Sequence, residues 1–213
     1  MFLPETMPQH DPARHAPPPA PLFHRATIGP GLALFCGVAA LAGFLSVAAL
    51  YGRDIGLDGA RFVLLLFGVV VVATRVLFST LPDRVPALRL VTAALASTGL
   101  GLLLMAMTGS PLGLFAGAAI TAVGVAFLTP AVFAFVFGRI DPTERGSATG
   151  TASFFIDLGL GAGPILIGLT AALAGFPAGL GLMAVIAAGG AVATGYVMVQ
   201  GRAGAAPSTS ASP

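Results

Sequence analysis

Residues 62–81 read FVLLLFGVVVVATRVLFSTL, and Arg75 is the only charge among them. A bilayer core about 30 Å thick is crossed by about 20 apolar residues in a helix, so this stretch has the length and chemistry of a membrane span. Working outward, five more stretches qualify, at 27–50, 87–108, 111–137, 148–173 and 177–200. Together the six take up about two thirds of the chain, which leaves little for a soluble domain. None alternates in polarity over ten residues, as a barrel strand would. They are apolar on all sides, which suits lipid or protein surroundings rather than a cytosolic bundle.

Composition points the same way. Of 213 residues, 8% are charged and 56% hydrophobic, with a mean hydropathy of +0.96. A soluble domain carries about 25% charge. A single cysteine, Cys36, cannot build a disulfide framework, and no His or Cys cluster has the spacing of a zinc site. The expectation is an all-α membrane protein with three parts. A Pro-rich cytoplasmic linker spans 1–26, a six-helix transmembrane domain 27–200, and a small, polar, disordered cytoplasmic tail 201–213.

The linker holds Pro17, Pro18 and Pro19 in a row, with His10, His15 and His24 scattered through it. It lacks the basic start and unbroken apolar run of a secretory signal. Histidines five and nine apart in an extended Pro-rich coil fix no geometry, so they read as solvated residues rather than metal ligands. Every basic residue is arginine, and none forms a stripe beside aromatics, which argues against nucleic-acid binding despite a pI near 9.3. Ser46, Ser97 and Ser153 have no histidine within the spans to activate them, and no phosphate-cradling loop or zinc signature is present. Catalysis, a cofactor and a metal are therefore not expected.

An even number of spans puts both ends on one side. Arg14, Arg25, Arg75, Arg84, Arg89, Arg139, Arg145 and Arg202 fall on that side, against Arg53 and Arg61 on the other, the latter two offset by Asp54 and Asp58. Because positive charge favours the cytoplasmic side, both termini are expected there, in a plasma membrane of bacterial type.

Two charges lie inside the spans. Arg75 is six residues from the end of the second, about 9 Å deep, and Asp157 is ten residues into the fifth, about 15 Å deep. Similar depth and opposite sign allow a pair. Asp157 is then either a protonatable or substrate-facing carboxylate, or half of a locking ion pair, with Arg75 also able to snorkel to the headgroups. In the fifth span Gly159 and Gly163 offer a flat packing face, Pro164 bends the helix, and Gly168 follows. Pro130 is expected to kink the fourth span. Tyr51, at a span end, fits an interfacial anchor. The phenylalanines at 35, 44, 67, 78, 115, 127, 133 and 135 could line a greasy route, but facing lipid or neighbouring helices is the plainer reading.

The second connection runs Arg75-Val-Leu-Phe-Ser-Thr-Leu-Pro-Asp83-Arg84-Val-Pro-Ala-Leu-Arg89. It resembles the short loop motif G-x-L-x-D-R-x-G-R of the major facilitator superfamily, in its version between the eighth and ninth helices. Leu81, Asp83 and Arg84 match, Ser79 and Pro86 replace glycines, and Arg89 stands two positions beyond the usual basic residue. The run from Asp141-Pro-Thr-Glu144-Arg145-Gly146 to Gly159, Gly163, Pro164 and Gly168 is similar to the loop and eleventh helix of the drug and sugar efflux branch. Phe2-Leu3-Pro4-Glu5-Thr6 looks like the phrase that closes the sixth helix of such carriers.

The resemblance implies helices seven to twelve of a twelve-helix carrier, folded as two inverted three-helix repeats. It further implies proton-coupled efflux of small molecules by alternating access, with the bilayer, a small-molecule substrate and a second six-helix half as partners. Asp83 and Arg84 would form a cytoplasmic clasp whose target lies in that other half, which leaves it empty in this chain alone. The alternatives are a truncated non-transporting protein, a partner subunit, or a self-assembling six-helix channel.

Overall fold

The computed structural model describes residues 24–57 and 61–203, excluding the side chains of residues 82, 83 and 201–203. The helices are α1 (Arg25–Asp54), α2 (Arg61–Leu77), α3 (Leu81–Arg84), α4 (Ala87–Thr108), α5 (Pro111–Phe137) and α6 (Arg145–Ala203), the last preceded by a 3₁₀ turn at Pro142–Glu144. Among the described residues there is no strand. By length and composition α1, α4, α5 and α6 are able to cross a bilayer, and the protein is an all-helical membrane protein.

Local chemistry sets the helix ends. Between α4 and α5, Gly109 takes a left-handed φ of 53°, and Ser110 caps α5 by accepting the Gly113 N–H at 3.2 Å. Pro111 then occupies a first-turn position, where its missing N–H costs nothing. The second span is shorter than its hydropathy suggests: α2 stops at Leu77, and a turn precedes the short α3. Pro82 has no N–H to return to the Phe78 carbonyl, so the helical ladder cannot run on.

α6 covers 59 residues but is interrupted at Gly175, where φ is 83° and ψ 166°, a conformation that favours glycine. The arms on either side, residues 145–174 and 176–203, fold back on each other. A Cβ placed on Gly179 would sit 3.1 Å from the Ile167 carbonyl oxygen, whereas a straight helix would hold those residues about 18 Å apart.

Two apolar clusters stack along the bundle. One gathers Phe44, Tyr51, Met105, Leu114 and Met183, and the other Leu34, Leu95, Phe127, Val132 and Ala148. Backbones approach closely at glycines. A Cβ at Gly159 would lie 3.1 Å from Ala39 N and Phe35 O, and one at Gly163 would run into the Ala39 carbonyl. On the opposite seam Gly101 meets Thr121 and Gly117, and Gly124 meets Ala94 and Thr98. Ser97 donates to the Ile120 carbonyl at 2.8 Å across the same α4–α5 seam. In lipid, where burying apolar surface gives little drive between helices, this close packing and interhelical hydrogen bonding holds the bundle.

Two expectations are corrected here. Tyr51 is not an interfacial anchor: α1 continues to Asp54, so Tyr51 is 1% exposed and its hydroxyl donates to the Met105 carbonyl at 2.8 Å. His24 is not a freely solvated residue. Its backbone N–H donates to Thr151 Oγ1 at 2.9 Å, and its Nε2 lies 3.4 Å from a Glu144 carboxylate oxygen. His10 and His15 lie outside the described residues.

Candidate functional site

Because α2 ends at Leu77, Arg75 falls in the last helical turn, about 3 Å from the helix end rather than about 9 Å inside a span. There its charge complements the negative end of the helix dipole. Asp157 lies twelve residues after Arg145, about 18 Å along α6. The equal depth that would let the two meet is gone. They also sit on different seams, since α2 packs mainly on α5 while the first arm of α6 packs on α1. Both side chains are exposed, and no ion pair joins them. The Arg75–Asp157 pair is thus not formed.

Arg75 instead borders a cavity of about 460 Å³ between the end of α2 and the middle of α5. Phe78, Ser79, Ala126, Phe127, Thr129 and Pro130 complete its wall. Phe78 and Phe127 meet edge to face, with centroids 6.4 Å apart. Of the other phenylalanines considered for a route, Phe44 and Phe67 are buried against each other at 5.9 Å, and Phe135 borders a separate cavity with Leu88 and Val132.

The arginine-rich end carries the loop residues. Leu81 packs against the cluster around Leu34 and Leu95, while Arg84 and Arg89 are exposed. The side chain of Asp83, and with it the clasp, lies outside the described residues. Glu144 meets His24, and Arg145 stacks its guanidinium 5.6 Å from the Phe137 ring centroid. Gly146 has open space around it, as does Gly168, so neither marks a close helix approach. Pro164 lies within α6 beside the Gly159 and Gly163 contacts. His24 had no sequence signal for its contacts, because they depend on α1 starting at Arg25 beside Thr151, 127 positions along the chain.

Apolar outer surfaces, glycine seams and buried helix-to-helix hydrogen bonds define a polytopic membrane protein. The chain belongs to the Major Facilitator Superfamily, whose pattern matches residues 13–212. An uncharacterised MFS-type transporter of Salmonella typhimurium, YhhS, is 31% identical over 161 residues, covering 74% of this chain and 40% of that protein. An uncharacterised MFS-type transporter of Pseudomonas aeruginosa is 33% identical over 171 residues, covering 74% of this chain and 42% of its own length. The chain thus spans less than half the length of these relatives. The full-length relatives that it matches are described as transporters of this family.

Proposed function

We propose that this chain is the C-terminal six-helix half of a facilitator carrier that exports small molecules by alternating access, coupled to protons. Its helices would cross a bacterial plasma membrane six times, counting α2 and each arm of α6, with both termini cytoplasmic. The observation that carries this reading is an exchange relation in the packing. α1 packs on both arms of α6, and α5 packs on α2 and α4. Swapping α1 with α5, α2 with the first arm and α4 with the second maps one set of contacts onto the other, as two inverted three-helix units require.

The outer faces of α2 and the first arm of α6 supply a seat for a second half. Leu65, Val69, Val72 and Val76 on α2, and Leu158, Ile165 and Leu169 on α6, are all exposed. Asp157 shares that exposed arm and is the proposed proton carrier, its charge state coupled to which way the two halves rock. Glu144, Arg145 and the Asp83–Arg84 clasp would mark the cytoplasmic closure. The test is solute flux driven by a pH gradient in vesicles that hold this chain with and without a second half. Flux only when two halves share a vesicle supports the reading, and flux from single chains refutes it.

A further inference from the structure

We propose that the cavity between α2 and α5 binds the carboxylate of a small amphipathic organic acid, held by Arg75, Ser79 and Thr129 above the Phe78–Phe127 pair. The inference rests on the carrier reading for its role, since it names the substrate class that such a carrier would take.

Within these helices a threonine ordinarily turns its hydroxyl back to a carbonyl of the preceding turn. Thr98 does so to Ala94, Thr108 to Leu104 and Thr170 to Leu166, at 2.8–2.9 Å. Thr129 sits inside α5 yet makes no such bond among the described residues, and neither does Ser79; Thr121 of the same helix is also unbonded, but it is fully buried against Gly101. Thr129 and Ser79 both border the cavity, as does Arg75, which has no ion pair or hydrogen bond among the described residues. A second cavity, of about 440 Å³, shows the contrast. Its lone hydroxyl residue, Thr194, donates to the Gly190 carbonyl at 2.9 Å, and no charge lines it.

The α2–α5 cavity therefore offers one fixed positive charge and two uncommitted hydroxyls. A guanidinium forks onto a carboxylate through two parallel N–H bonds, and hydroxyls can donate to the same oxygens. Among the described residues no acidic side chain lines the space to compete. The rest of the wall is apolar: Ala126 and Phe127 are buried and Phe78 is half exposed. Such a site orients an acid head towards Arg75 and an aromatic body towards the two rings.

The probe is 2-naphthoate, whose fluorescence is read against a protein with no tryptophan and two tyrosines. The full chain is held in nanodiscs of phosphatidylcholine alone. Saturable binding is expected, weakened at least tenfold by Arg75→Gln, weakened less by Arg75→Lys and by Thr129→Val, and not displaced by neutral 2-naphthamide. Melting curves of the variants confirm that each remains folded. Binding unchanged in Arg75→Gln, or equal binding of naphthamide, overturns the proposal. So does Arg75-dependent binding of phosphatidylglycerol with no binding of naphthoate, which would make Arg75 a lipid-headgroup contact. Binding is measured at equilibrium, without flux. If the chain binds naphthoate through Arg75 but two halves sharing a vesicle move no solute, this site stands and the carrier reading falls, while flux from paired halves without such binding does the reverse.

Discussion

The Tyr51 hydroxyl, at the far end of α1, donates to the Met105 carbonyl of α4 at 2.8 Å in a buried contact. Met105 is one of the last four residues of a helix that ends at Thr108, so its carbonyl has no partner within α4. The tyrosine supplies the missing donor, and its ring packs 6.0 Å from that of Phe176, just past the Gly175 break. Replacing Tyr51 with Phe keeps the ring and orphans the carbonyl. The expected cost is about 1–3 kcal/mol, read as a lowered melting temperature in detergent, and an unchanged melting temperature would remove the hydroxyl from the account.

Glycines along α6 divide by what faces them. A Cβ at Gly163 meets the Ala39 carbonyl and lies 3.0 Å from Gly43 N, whereas one at Gly168 meets nothing within 4 Å. Gly163→Ala should force α1 and α6 apart, at about 1–3 kcal/mol. Gly168→Ala should be neutral or slightly stabilising, because it removes backbone freedom from a helix. Unfolding midpoints of the two variants measured side by side check the contrast.

At the arginine-rich end, Thr151 Oγ1 accepts from His24 N and donates to the Ser147 carbonyl at 2.9 Å. Thr151→Val removes the acceptor for the first described residue of the chain. Faster hydrogen exchange at the His24 amide is expected, with a stability loss of about 1 kcal/mol. Glu144→Gln should cost less, about 0.2–1 kcal/mol, because the Glu144 side chain is 54% exposed and water screens its attraction to His24.

Asp157 is exposed on the first arm of α6, well along the helix from Arg145. If it carries the coupling proton, Asp157→Asn abolishes flux driven by a pH gradient while leaving solute exchange down its own gradient. Loss of both, with normal folding, would instead make it a substrate contact, and loss of neither would exclude it from the site.

Much of the helix pattern was legible in the sequence because punctuation coincides with hydropathy. Pro86 and the run Gly109-Ser110-Pro111 bound α4 and open α5 at the residues expected. Where hydropathy continues past a backbone break, sequence and structure part: Phe78, Ser79 and Thr80 look like span, yet α2 stops at Leu77 and Pro82 keeps the ladder from running on through them. That error made Arg75 seem deep and matched to Asp157. Partners depending on the rotation of one helix against another, as for Tyr51 with Met105 and His24 with Thr151, leave no mark in a single sequence.

The most direct test of the half-carrier account varies the number of chains per vesicle. Purified protein is reconstituted at loadings from fewer than one chain per vesicle to several, alone and with the first six helices of a full-length relative, and solute movement under an imposed pH gradient is recorded. The account predicts no movement from single chains, and gradient-driven movement once a vesicle holds two halves. Movement that scales linearly from single chains, or none in any combination, would contradict it.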